Sequence, residues 1–179
     1  MSNLSVHESA LKRRSVKSFK ADPIPDDILN KIIEATIAAP SSWNFQPTRT
    51  ILLKSQEQKQ ALADVAWGQK QIVQAPVVFV FAADIRGWEN NMDQIINQAV
   101  ELGAWPEKFA GFIRENAPGF QSGLGEKERE YAIKDAMISA SHAALAAESL
   151  GLGTCYMNGW DEDGVKKVIG VEDEEDVAI

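Results

Sequence analysis

Apolar residues recur at helical spacing in the first quarter of the chain. A weak helical pattern covers residues 4–13, and a clearer one runs from Asp26 to about Ala38. The apolar stripe of this second segment consists of Ile28, Leu29, Ile32, Ile33 and Ile37. Acidic residues at its start favour the positive end of a helix, and Pro40 excludes a helical conformation at the residue before it. We therefore predict two helices, the second ending before Pro40.

Two later segments are predicted to form strands. They are TRTILLK at 48–54 and PVVFVFAAD at 76–84. The second is a continuous apolar run rich in β-branched and aromatic residues, which is typical of a central strand with both faces covered. A polar helix is predicted between the two strands, over about 56–65.

The stretch from 85 to 127 has a less regular pattern. Two parts of it, DQIINQAVELG and EKFAGFIRE, favour helices, and we predict an excursion of short helices lying over another part of the molecule. Aromatic residues are scattered among its Gly and Pro residues: Trp88, Trp105, Phe109, Phe112 and Phe120. These side chains fit core packing and a lid over an aromatic ligand equally well.

A long helix is predicted from about Lys127 to Leu150. Its second half, AMISASHAALAAESLG, is apolar on nearly all sides and rich in alanine, which indicates a helix buried on most faces or shared between two subunits. Glycines at 151 and 153 end it. A short strand (TCYM), a small helix (DEDGVKKVIG) and the start of a last strand (DVAI) follow, so residues 1–179 are predicted to form a single domain.

Composition and charge narrow the possible functions. The chain has 179 residues, 45% of them apolar and 25% charged, as in a folded globular protein. Its net charge of -8 argues against a general binder of nucleic acid or of anionic membranes, and no apolar run approaches a membrane span of roughly 20 residues. One cysteine and two histidines exclude a disulfide framework, argue against a zinc site and fit a reducing cytoplasm.

The first candidate for ligand binding is KRRSVKSFK at 12–20. It holds five of the 18 basic residues of an otherwise acidic chain, with no acidic residue among them. Arginine forks match phosphate in a bidentate manner, and serine adds a donor, so a single phosphate group could be held here. The alternative is a solvated basic helix end, since cations favour a helix C-terminus.

Two further segments carry amides and hydroxyls. APSSWNFQP at 39–47 suits a flat heterocycle with many hydrogen-bond acceptors, although it also suits an ordinary capped turn. WGQKQIVQAP at 67–76 has three Gln residues just before the central strand, where they could reach a cleft at its end or lie on the surface.

The sequence contains no recognisable set of catalytic side chains. GLGTCYMNGWD at 151–161 fails the G-x-G-x-x-G fingerprint, because Tyr156 stands at the third Gly and the motif follows a helix. Cys155 and His142 are interpreted as packing residues. Paired carboxylates, a Ser-His-Asp set, a P-loop and metal-ligand spacing are all missing, so a borrowed cofactor is the simplest source of chemistry.

Taken in order, these segments resemble the nitroreductase family of flavin enzymes. The matching segments are RRSVKSF, AAPSSWNFQPTR, QKQIVQAPVVFVFA and AALAAESLGLGTCYMNGWD, within roughly 8–84 and 128–171. The resemblance implies an α+β fold with a mainly antiparallel central sheet flanked by helices. It also implies an intertwined homodimer with the alanine-rich helix at its core, and one FMN per subunit at the dimer interface.

The resemblance assigns expected roles to residues of this chain. Arg13 and Ser15 would hold the FMN phosphate, with Arg14 beside them as part of the cofactor site, and Lys17 would reach the N1–C2 edge of the ring. Pro40, Ser41, Ser42 and Asn44 would come from the other subunit. Gln69 and Gln71 would contact the pyrimidine edge. Tyr156, Met157, Asn158 and Gly159 would line one face of the ring, with Tyr156 and Asn158 standing where many relatives have Pro and Gly. No catalytic side chain and no metal are expected.

The implied activity is transfer of a hydride from NAD(P)H to FMN and then reduction of a nitroaromatic, a quinone or a similar small aromatic acceptor. One flat site used twice implies ping-pong kinetics. The alternative is a flavin-binding dimer or sensor with little turnover. The family continues beyond the position of Ile179, so its C-terminal tail is expected to be absent here.

Overall fold

Three strands and eight α-helices are present in the described part of the chain, which comprises residues 3–172, 174 and 176–179 of a computed structural model. In chain order they are α1 Val6–Lys12, α2 Asp26–Ile37, β1 Thr48–Leu53, α3 Gln56–Val65, α4 Lys70–Gln74, β2 Val78–Asp84, α5 Gly87–Glu101, α6 Glu107–Ser122, α7 Glu128–Ser149, α8 Glu162–Ile169 and β3 Val177–Ala178. Most predicted elements are confirmed within two or three residues.

The sheet is antiparallel, with β2 in the middle and the order β1-β2-β3. β1 pairs with β2 along its whole length, from Thr48 opposite Ala83 to Leu53 opposite Val78. β3 pairs with only the last two residues of β2. Together with the surrounding helices, this confirms the predicted α+β class and the central position of the 76–84 run.

Helix α7 packs against α1, α2 and β2, with a row of buried alanines on the covered side. Those alanines are Ala132, Ala136, Ala140, Ala143, Ala144 and Ala147. Small side chains allow the neighbouring elements to approach closely. Met137 and Ile138, by contrast, are 48% and 37% exposed, so an apolar strip of α7 faces outward.

The excursion differs from the predicted short helices, because α5 and α6 are 15 and 16 residues long. They pack on one another around Ile96 and Ile113, and Phe45 from the loop before β1 completes the same apolar cluster. The scattered aromatic residues hid this pattern, since α6 carries exposed rings outside its apolar face, at Phe109, Phe112 and Phe120.

Two smaller predictions are wrong. TCYM forms a single bridge, Ser15 to Thr154, instead of a strand. Ile37, predicted to belong to the apolar stripe of α2, is exposed. The buried face of this helix runs through Leu29, Ile32 and Thr36, and the next residue, Ile37, lies about 100° further round the helix axis than Thr36. Thr36 can occupy the buried face because its hydroxyl donates to the Ile32 carbonyl at 2.7 Å.

A largely apolar cavity of about 890 Å³ lies between β2 and the segment 151–157. Its walls include the edge of β2 that β3 leaves uncovered and several alanines of α7. Gln69, Gln71 and Tyr156 also line it, so the cavity adjoins the residues that the sequence singles out.

Candidate functional site

The basic segment lies directly against the chain that follows α7. Ser15 bridges Thr154 in parallel, and the Val16 N–H donates to the Thr154 carbonyl at 2.9 Å. Further along, the Lys17 ammonium lies 3.4 Å from the sulfur of Cys155. Two candidate segments whose contacting residues Lys17 and Cys155 are 138 positions apart therefore form one surface.

Buried donors without partners among the described residues make this surface a candidate binding site. Among the described residues, neither Arg13 Nη1 nor Thr154 Oγ1 has a hydrogen-bond partner, although both atoms are buried. A buried donor left unpaired costs about 1–3 kcal/mol, so such atoms are usually satisfied by a ligand or water. A guanidinium and two hydroxyls, from Ser15 and Thr154, match the oxygens of a phosphate group.

The Arg13 guanidinium also lies over the ring of Tyr156, 5.6 Å from its centre. The Tyr156 hydroxyl donates to the carbonyl of Ala140 on α7 at 3.1 Å. This hydrogen bond fixes the ring, and the ring in turn supports the guanidinium by a cation–π contact.

Arg14 differs from Arg13 in its surroundings. Its Nη1 donates to the carbonyls of Leu11, Lys12 and Arg13, at 2.8, 3.2 and 2.9 Å. Arg14 thus caps the C-terminus of α1, where carbonyls lack helical partners. None of the five cations of 12–20 lies within ion-pair distance of a described carboxylate, which leaves the segment with a net positive charge.

The glutamines before β2 hold the turn at 158–159. Gln69 donates through Nε2 to the carbonyl of Gly159 at 2.9 Å and to that of Asn158 at 3.4 Å. Gln71 donates to the side-chain oxygen of Gln69 at 3.0 Å. The Gly159 N–H is bonded to the side chain of Asn158 at 3.1 Å, and Met157 packs on the apolar core below.

Trp67 belongs to this group, although sequence reasoning missed it. Its indole lies against Gly159, where a Cβ would come within 2.4 Å of the ring, yet Trp67 is 77% exposed. Its φ of 56° is in the left-handed region, which L-residues rarely adopt. An exposed tryptophan directly before Gly68 in a Gln-rich segment was the available signal.

The loop from Pro40 to Gln46 lies elsewhere in the subunit. Pro40 is exposed, and Ser41 accepts the Gln46 N–H at 2.9 Å. Trp43, Asn44 and Gln46 all have left-handed φ values, of 55°, 58° and 51°. With Trp67, they are all of the non-glycine residues with positive φ in the described part of the chain. Backbone strain is therefore confined to two candidate segments, as is common at functional sites.

Two side chains that sequence reasoning missed hold this loop. Asp135 of α7 accepts the Ser42 N–H and hydroxyl, and Asn91 of α5 donates to the carbonyls of Phe45 and Gln46 at 2.9 and 3.3 Å. Burial raises the pKa of Asp135, and the hydrogen bonds from Ser42 act against that shift. Asp135 is the only acidic residue between Glu130 and Glu148, which was its signal in the sequence.

The candidate residues thus form two groups on different sides of α7. The first, here called the basic cluster, comprises residues 13–17, 67–71 and 154–159. The second is the 40–46 loop. The basic cluster contacts α7 at Ala140 and the loop contacts it at Asp135, positions that lie about 140° apart around the helix axis. One subunit therefore does not bring the two groups together.

Other classes of site lack support among the described residues. No helix in that part of the chain is both long and apolar enough to cross a bilayer. Likewise, the described residues contain no group of three or more His, Cys, Asp and Glu side chains placed to hold a metal ion.

Comparison with known proteins identifies the family. Residues 10–179 match the model of the nitroreductase family. A curated relative, the NADH dehydrogenase of Thermus thermophilus, is 33% identical, with 94% of this chain and 80% of the relative covered. A solved putative nitroreductase from Bacillus subtilis has a TM-score of 0.85 and 28% identity, covering 94% of this chain and 82% of its own.

A second solved structure shows the fold with its ligand. It is a putative nitroreductase from Exiguobacterium sibiricum in complex with FMN, with a TM-score of 0.83 and 23% identity, covering 99% of this chain and 85% of its own. At that identity the likeness concerns the fold. The match of the family model over most of the chain, and the relative of 33% identity, show that the chain belongs to the nitroreductase family.

Proposed function

We propose that the protein is an FMN-dependent oxidoreductase that uses NAD(P)H to reduce small aromatic acceptors such as nitroaromatics or quinones, by a ping-pong mechanism and as a homodimer. The observation that carries this proposal is the basic cluster, in which buried Arg13 and Thr154 atoms have no hydrogen-bond partner among the described residues and lie next to glutamines and an extended backbone. Family membership supports the cofactor and the co-substrate.

The basic cluster fits the phosphate of FMN. Arg13 supplies a guanidinium, and Ser15 and Thr154 supply hydroxyls on neighbouring extended segments. Because Arg14 is engaged in capping α1 through Nη1, it contributes to the site mainly by its charge. The uncompensated positive charge of 12–20 attracts a dianionic ligand to an otherwise acidic protein.

FMN, when bound, supplies the chemistry, since it accepts a hydride from a nicotinamide and passes two electrons on to an acceptor. The chain's own residues bind and orient. Lys17 places a cation beside Cys155, Gln69 and Gln71 present amides, and the backbone of 156–159 forms a shelf held by Gln69 and Trp67. No described side chain is required as a general acid, because water can supply protons.

The second subunit supplies the rest of the site. Ser41, Ser42 and Asn44 lie on the far side of α7 from the basic cluster of the same subunit. In the proposed homodimer, a two-fold axis near the exposed Met137 and Ile138 of α7 would bring the partner's copy of this loop towards the basic cluster. The exposed rings of Phe109, Phe112 and Phe120 on α6 are candidates for stacking on an aromatic acceptor.

An absorbance spectrum tests the proposal. The purified protein is mixed with FMN, freed of excess FMN, and titrated with NADH or NADPH without oxygen. Flavin absorbance that is retained and then bleached by either nucleotide is the expected result. Retained but unbleached flavin would indicate a flavin-binding protein without turnover, and a colourless protein would refute the proposed function.

Tyr156 is expected to contribute to FMN binding through Arg13. Tyr156→Leu removes the aromatic face under the guanidinium, so the Kd of FMN should rise about two- to fivefold, as for a partly exposed cation–π contact of about 0.5–1 kcal/mol. Tyr156→Phe keeps the ring and is the matched control, with a smaller change. Fluorescence quenching of FMN measures both. Equal loss in the two variants would assign the effect to the hydroxyl and would refute the role of the ring.

A further inference from the structure

Asp135 is a carboxylate that α7 buries against the strained loop. The side chain is 4% exposed and accepts the Ser42 N–H at 3.0 Å through Oδ1 and 3.2 Å through Oδ2. It also accepts the Ser42 hydroxyl at 3.1 Å. One buried acidic residue thus takes every donor that Ser42 has.

The same loop needs an anchor, because its backbone is strained. Three of its residues hold left-handed conformations, which are strained for residues other than glycine and persist only where neighbours enforce them. The bonds from Asp135 and from Asn91 act at opposite ends of these three residues. Between them, Asn44 is exposed and held in a fixed position.

The surroundings of Asp135 do not compensate its charge. A small cavity of about 20 Å³ beside it, room for one water molecule, is lined by Asp84 of β2, Gln121 of α6, and Glu128 and Tyr131 of α7. Asp84 and Glu128 are paired with Arg49 and Arg86. Asp135 has no described cation within ion-pair distance, so only Ser42 stabilises its ionised form.

We infer that Asp135 is a positioning residue for cofactor binding, which in its ionised form holds the 40–46 loop in the shape that contacts FMN and on protonation releases it. The inference rests on the proposed function. It assigns to a buried acidic residue a role that a neutral side chain of the same shape fills poorly. An Asn accepts through an uncharged oxygen, which makes weaker hydrogen bonds, and its NH2 donor stands where Oδ2 lies 3.2 Å from the Ser42 nitrogen.

The buried charge of Asp135 lowers the free energy of unfolding. The effect of a substitution on stability can therefore distinguish a positioning role of Asp135 from a structural one. Burial raises the pKa of Asp135 above its ordinary value of 3.8, so the folded chain binds this proton more tightly than the unfolded chain does. Between those two pKa values the free energy of unfolding falls as pH rises, and above both the ionised carboxylate is a constant cost. At pH 7, Asp135→Asn removes this cost and weakens the hydrogen bonds from Ser42, so the two effects offset and its stability should stay close to that of wild type.

The test compares wild type, Asp135→Asn and Asp93→Asn, the last being the same chemical change at an exposed position of α5. Thermal unfolding gives Tm, and fluorescence quenching gives the Kd of FMN between pH 4 and 8. Asp135→Asn should bind FMN about tenfold more weakly at pH 7 with a nearly unchanged Tm, and Asp93→Asn should match wild type. The ratio of the Asp135→Asn and wild-type Kd values, in which titration of the FMN phosphate cancels, should approach one as pH falls.

The outcomes separate this inference from the proposed function. Equal FMN affinity of wild type and Asp135→Asn at pH 7 would overturn the inference and leave the proposed function intact. A lower Tm together with a Kd ratio that does not change with pH would assign Asp135 a structural role only. If wild type and Asp93→Asn bind no FMN, the proposed function fails and the inference fails with it.

Discussion

Arg13→Ala is expected to weaken FMN binding about 100-fold. A guanidinium bound to phosphate makes two charge-assisted hydrogen bonds worth about 1.5 kcal/mol or more each, and together they correspond to about two orders of magnitude in Kd. The buried and unpartnered Nη1 of Arg13 is the structural reason to expect this loss. Equilibrium dialysis or fluorescence quenching of FMN measures it.

Lys12→Ala is the matched control for Arg13→Ala. It removes one positive charge from the next residue in sequence, but Lys12 is exposed in the last turn of α1. Its effect on the Kd should stay within about threefold, as for a screened surface charge. Equal losses in the two variants would mean that the segment acts only through its total charge, and the assigned phosphate contact would then be wrong.

Phe45→Ala is expected to lower the free energy of unfolding by about 3–5 kcal/mol, the usual cost of truncating a fully buried phenylalanine. Phe45 is 1% exposed and packs into the apolar cluster of Ile96 and Ile113. Because it also belongs to the loop that Asp135 and Asn91 hold, FMN binding should weaken in the same variant. Urea unfolding followed by circular dichroism measures the change in stability.

Phe112→Ala makes the same chemical change on α6, at a ring that is 52% exposed. The loss there should be under about 1 kcal/mol, because most of the ring stays in water in the folded protein. If Phe112→Ala were as damaging as Phe45→Ala, the outer face of α6 would have to be covered in solution.

The elements that the sequence predicts well are those with a strong local pattern. The α3 helix, the central strand β2 and the alanine-rich α7 each carry their own periodicity, so their existence did not depend on distant contacts. The excursion was harder because α5 and α6 bury one face against each other and against Phe45, which lies far away in sequence. TCYM fails to form a strand for a similar reason, since pairing depends on neighbours that its own residues do not specify.

The residues of the candidate site also fall into those that a short segment of sequence reveals and those that depend on distant contacts. Residue types that bind phosphate, or a flat heterocycle with many hydrogen-bond acceptors, can be recognised in short segments of sequence. The structure brings three such segments together, at 13–17, 69–71 and 154–159. Asp135, Asn91 and Trp67 act through contacts with residues 46 to 93 positions away, so the sequence offers at most a weak local signal for these residues and none for what they contact. Arg14 shows the converse, because its side chain is drawn into capping α1 and its type alone did not indicate that.

The central claim is that two copies of the chain together form each FMN site. A heterodimer with Arg13→Ala in one subunit and the double change Ser41→Ala and Asn44→Ala in the other tests it, after isolation through two different affinity tags. With composite sites, one site of this heterodimer carries all the changes and the other carries none. The heterodimer should then bind about one FMN with wild-type affinity, whereas neither mutant homodimer binds at that affinity. A heterodimer with no site of wild-type affinity would contradict the account.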